Sequence, residues 1–70
     1  MYERSQLKWD GDQLRHGRRV VASIVPDTAW PAMWRVSLPG APLTDMVNRT
    51  RAKDAAMSLA LAGLNARAAA

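Results

Sequence analysis

The feature that most constrains this chain is a change of character at Asn48. Before it, β-branched and aromatic residues alternate with polar ones, and all four prolines fall between Pro26 and Pro42; after it there is no proline and alanine dominates. Proline cannot donate to a β-ladder or continue a helix, whereas alanine has the best helix propensity. The chain therefore divides into an N-terminal region of strands and turns and one long C-terminal helix. Asn48 and Thr50 are its candidate caps, and Gly63 is either its stop or is carried through to Asn65.

The strands are read from period-2 alternation. Ser5 to Trp9 places Leu7 and Trp9 on one side, Gln6 and Lys8 on the other, and predicts a short half-buried strand. Asp10-Gly11-Asp12 is a turn, and a loop anchored by Leu14 is expected to continue to His16-Gly17. Arg18 to Val25 is the best strand, with Val20, Ala22 and Ile24 on one face and Val21, Ser23 and Val25 on the other; Pro26 ends it. A loop with two prolines leads to Met33–Leu38, where Trp34, Val36 and Leu38 are expected to line the core. Pro39-Gly40 centres a further turn. Residues 43–47 are expected to return as another strand; the alternative is an early helix start capped by Thr44 or Asp45.

The fold class that follows is α+β: an antiparallel meander of three or four strands, covered on one face by a single helix. Seventy residues form one domain, with fraying expected over 1–4 and 66–70. A domain this short buries only about 60% of the surface its unfolded chain exposes. With no cysteine and a single histidine, neither disulfides nor a thiolate metal site can reinforce it, which leaves oligomerisation.

At about 100° per residue, Ala52, Ala55, Ala56, Leu59, Ala62, Gly63 and Ala66 share one helix face, small enough to lie close over a sheet. Met57, Leu61 and Leu64 form a second stripe, a candidate interaction face for a homodimer or another protein.

Catalysis needs converging groups of matched pKa or metal ligands at workable spacing, and no such constellation is present. Asp10 and Asp12 flank a glycine without the further acids of a calcium loop, and His16 stands alone. The reading is of a non-enzyme, with no catalytic or metal-binding residues, no cofactor and no small-molecule substrate identified. No leader or membrane-spanning run is visible, so a cytoplasmic protein without a membrane partner is expected.

Charge is the remaining clue. Ten Lys and Arg oppose six Asp and Glu for a net charge of +4, a balance that suits acidic partners. Arg49, Arg51 and Lys53 open the helix, where the positive end of the helix dipole disfavours cations. Free backbone N–H groups and guanidinium forks there would suit phosphate. The expected partner is nucleic acid, bound by Arg49, Arg51 and Lys53 with help from Arg18, Arg19 and Arg35. Exposed tryptophan beside arginine can stack on bases; Trp9 and Trp34 are assigned to the core and Trp30 is left open.

The run Arg49 to Met57, in particular Arg51-Ala52-Lys53 followed by Ala55-Ala56, resembles the last helix of double-stranded RNA-binding domains, which follows a three-stranded antiparallel sheet and grips phosphate with basic residues at its start. Thr50 stands where that family has a second lysine, the alanine pair comes one residue early, and no first helix is read in residues 1–17. More broadly, Met33-Trp34-Arg35-Val36, Leu43 to Asn48 and Arg51 to Ala56 look like a group of short, uncharacterised bacterial strand-strand-strand-helix proteins, a resemblance that implies no function.

Overall fold

The computed structural model describes residues 1–69. Among them the chain forms a 3-10 turn η1 (Arg4–Gln6), strands β1 (Lys8–Asp10), β2 (Gln13–His16), β3 (Arg19–Pro26) and β4 (Trp34–Ser37), and helix α1 (Arg49–Ala69). The strands make one antiparallel sheet in the order β1-β2-β3-β4, an open meander with α1 packed on one face.

Two hairpins build the first three strands. Asp10 pairs with Gln13 across Gly11-Asp12, and His16 with Arg19 across Gly17-Arg18. Both are two-residue loops led by a glycine at positive φ, +60° and +61°. That conformation matches the right-handed twist of the flanking strands, and glycine adopts it without steric cost. The expected turn at Asp10-Gly11-Asp12 is present, but the loop expected to continue from it to His16-Gly17 is instead strand β2, and Leu14 within it is completely buried. The expected strand over Ser5 to Trp9 instead begins as η1, whose N-cap Glu3 donates its backbone N–H to the Gln6 side chain, and becomes extended only at Lys8.

A β-bulge interrupts β3. Leu14 faces Ala22 but Arg15 faces Val20, so Val21 is extra, and Val21 and Ala22 are buried in succession. This shifts the phase of the strand: Val21, expected on the face opposite Ala22 and Ile24, enters the core with them, while Val20 is only half-buried.

Beyond β4, residues 43–47 form neither the expected strand nor an early helix. Val47 and Trp34 exchange backbone hydrogen bonds at 2.7 and 2.8 Å, an isolated bridge, and Thr44 Oγ1 accepts from the Val36 N–H at 2.9 Å. The Thr44 side chain takes one of β4's ladder bonds while its own N–H donates to the Val36 carbonyl at 3.2 Å, so the segment is fastened to β4 without a continuous ladder.

Helix α1 starts at the Asn48 cap, whose Oδ1 accepts from the Arg51 N–H at 2.8 Å. It passes through Gly63 and continues to Ala69, beyond the expected end. Part of the expected frayed tail is thus helical; Ala70 lies outside the described residues. At the other terminus, Tyr2 donates its N–H to Asn65 Oδ1 at 2.7 Å and accepts from Asn65 Nδ2 at 3.3 Å.

The buried helix residues are Ala52, Ala56, Ala60 and Leu64, stacked on Leu7, Leu14, Val21, Ala22, Ile24 and Val36. Leu59, Ala62 and Ala66, expected inside, are exposed. Each four-residue step rotates the buried position by about 40°, so this row slants around the helix as the i±4 ridges do. A slanted row follows a twisted sheet where a straight stripe would leave it.

Candidate nucleic-acid interface

The Asn48 cap and the β1–β2 turn bring the first turns of α1 to one end of the sheet. There Arg49 Nη2 donates to Asp12 Oδ1 at 2.7 Å, and its guanidinium lies 5.2 Å from the Trp34 ring centroid. One turn later, Lys53 Nζ is 4.7 Å from the ring of Trp9. Trp34 and Trp9 come from the two edge strands and are half-buried against the core. Each cation–π contact is worth roughly 0.5–1 kcal/mol in such partly exposed settings. The rings thus hold two cations beside the helix start; Arg49 is also paired with Asp12, and Lys53 has no carboxylate partner among the described residues.

Arg51 differs from both. It is exposed, lies in a first turn with no acidic residue, and forms no ion pair among the described residues. The helix dipole opposes its charge by roughly 0.3–1 kcal/mol, so local stability gains nothing from it. Arg4 is near, joined to Asp54 at 2.9 Å. The four cations Arg4, Arg49, Arg51 and Lys53 are accompanied by two carboxylates, Asp12 and Asp54, each in an ion pair whose side chains are about half exposed or more. Such pairs exchange readily with solvent and contribute about 0–1 kcal/mol.

The other expected binding residues lie elsewhere. Arg35 is on β4 opposite Val25, which puts it on the sheet face away from the helix, and its Nε donates to Asp27 Oδ1 at 2.8 Å. With only 30% and 11% of the two side chains exposed, this pair organises the β3–β4 loop, and Arg35 is not part of the helix-start cluster. Asp27 also accepts from the Ala29 and Trp30 N–H groups at 3.0 Å. Hydrogen bonding from Arg35, then from the Trp30 N–H, holds its carboxyl below the ordinary aspartate range. Trp30 itself projects from this loop, 63% exposed.

Arg18 and Arg19 occupy the β2–β3 turn and the start of β3. Arg19 borders a cavity with Leu64 and Arg67, so these arginines accompany the far end of α1, about 27 Å along its axis from Arg49. The candidate interaction stripe is drawn into the chain's own packing: Leu64 is buried, and Met57 and Leu61 are partly buried against the core. His16 packs edge-on against Tyr2, and Asp10, Asp12 and Asp27 each pair with a different arginine.

The sequence identified Arg49, Arg51 and Lys53 as a unit, but not their partners Trp34, Trp9 and Asp12. No protein-family model matches the chain, and neither a curated protein nor a solved structure is significantly similar to it. No described helix is long and apolar enough to cross a membrane.

Proposed function

We propose that the protein binds nucleic acid through the phosphate backbone at the start of α1. The reading rests on Arg51, an exposed first-turn guanidinium with no ion-pair partner among the described residues, between two cations held over tryptophan rings. A phosphate placed there meets the positive end of the helix dipole, the guanidinium fork of Arg51, and two further charges that rearrange from their rings at small cost. Nothing in this arrangement reads base edges, so the binding is of the backbone type and tolerant of sequence.

Three phosphate contacts predict an affinity that falls about 40-fold over a fourfold rise in salt, at a slope near −0.9 per contact for a duplex. Fluorescence anisotropy with labelled RNA and DNA at two salt concentrations measures this directly. Arg51→Ala and Arg49→Ala/Arg51→Ala are expected to stay folded and bind progressively more weakly. Binding that ignores salt, or none at low salt, refutes the reading.

A further inference from the structure

A second group of cations, independent of the helix start, borders a cavity of about 160 Å³. Its walls come from three directions: Val20 and Val21 at the β3 bulge, Leu38, Pro39 and Ala41 from the turn after β4, and Ala60 and Leu64 from α1. The space follows from local structure. The register shift at Val21 brings both Val20 and Val21 to the lining, and Ala60 and Ala41 carry only methyl groups where larger side chains would fill the gap. Gly40, at φ +75°, makes the turn that carries the lining residues Pro39 and Ala41.

Among the described residues, Arg19 and Arg67 are the charged residues of this lining, no carboxylate contributes to it, and neither arginine forms an ion pair. An apolar hollow flanked by two guanidiniums is complementary to a molecule with an anionic head and an apolar body. An engineered apolar cavity of about 150 Å³ accepts benzene, which fixes the scale of that body at one ring or a short chain. The planar guanidinium fork matches a carboxylate's two oxygens. We propose that this cleft is a binding site for a small monocarboxylate of aryl or short-chain aliphatic type, its carboxylate between Arg19 and Arg67 and its body against Val21, Leu38 and Leu64.

The test is a titration of the full chain, followed residue by residue through its amide NMR signals, with benzoate and hexanoate as probes. Benzyl alcohol supplies the body without the charge, and inorganic phosphate the charge without the body. Saturable shifts at Val20, Val21, Leu38, Ala41, Ala60 and Leu64 are expected, with a dissociation constant of about 1 mM for a ligand of this size. Arg19→Gln/Arg67→Gln, on exposed side chains, is expected to weaken benzoate at least tenfold, to the level of benzyl alcohol. Ala41→Leu, at the exposed turn, narrows the opening and is expected to weaken both carboxylates without unfolding the chain. No saturable shift at these residues up to about 10 mM, equal binding by the double variant, or phosphate alone reproducing the pattern would overturn the proposal.

Discussion

Arg35 and Asp27 tie the irregular half of the sheet together. Arg35 Nε donates to Asp27 Oδ1, and Nη1 of the same guanidinium donates to the Thr44 carbonyl, both at 2.8 Å. One side chain thus fastens the β3–β4 loop and the segment leading to the helix onto β4. Asp27 in turn caps the N–H groups of Ala29 and Trp30. A lysine has the charge but not the fork to make both contacts, so Arg35→Lys is expected to lower the urea midpoint and loosen the loop around Trp30. Trp30 amide exchange that is unchanged in the variant would count against this role.

The same contacts set a pH dependence. With the folded-state pKa of Asp27 depressed by Arg35 and the loop N–H groups, the unfolded chain binds the proton more readily. The stabilisation is fully present above the unfolded value of about 3.9 and is lost as pH falls through the lower folded value. Stability is therefore expected to drop in acid below about pH 4, and Asp27→Asn to flatten that part of the profile. A carboxyl ¹³C titration of Asp27 with its midpoint at or above the ordinary aspartate value would contradict it.

Leu14 is wholly buried at the centre of β2, beneath the alanines of α1. Truncating such a leucine removes its transfer free energy and leaves a cavity, at a cost of about 2–5 kcal/mol. That is a large part of the stability available to so short a domain. Leu14→Ala is expected to leave much of the chain unfolded at room temperature by circular dichroism. A loss under about 1 kcal/mol would mean that the site collapses around the gap.

Leu14 also shows where legibility in the sequence stops. Alternating apolar residues in Arg19–Pro26 and Trp34–Ser37, and the cap at Asn48, each point to the element observed. Strand β2 has one apolar residue in four, so its sign is not periodicity but the paired Gly-X turns, Gly11-Asp12 and Gly17-Arg18, that bracket it. The bulge at Val21 is a matter of register between two strands and leaves no mark in either alone. On the helix, alanine is so common that hydropathy barely distinguishes one face from another; the sheet's twist selects the row Ala52, Ala56, Ala60 and Leu64. At the candidate interface the cations were readable as a helix start. Their rings were not, because Trp34 and Trp9 meet Arg49 and Lys53 only after the sheet is assembled.

The Asn48 side chain satisfies the Arg51 N–H, one of the donors a helix start leaves open, in a turn without an acidic side chain to offset the dipole. Asn48→Ala is expected to cost about 1 kcal/mol. Asn48→Asp retains the acceptor and adds a charge of the sign the dipole favours, so it is expected to equal or exceed the parent in stability. The same substitution places a carboxylate beside Arg51. It is therefore expected to weaken nucleic-acid binding while the fold gains, and parallel urea titration and anisotropy measurements separate the two effects. Stability and binding that fall together would show that the variant acts through the fold.

Gly63 lies inside α1 with helical backbone, and a Cβ built there meets nothing within 4 Å. Glycine in a helix interior costs about 0.5–1 kcal/mol relative to alanine, because the unfolded chain loses more conformational freedom on folding. Since no neighbour must move, that whole difference is available, and Gly63→Ala is expected to raise the urea midpoint with no change in the slope of the transition. The gain belongs to the last turns of α1, which carry Leu64, the Tyr2 contact to Asn65, and Arg67. Slower amide exchange is therefore expected from Leu64 onward and not at the Asn48 end. A destabilised Gly63→Ala protein would show that the C-terminal half of the helix bends at Gly63 in solution.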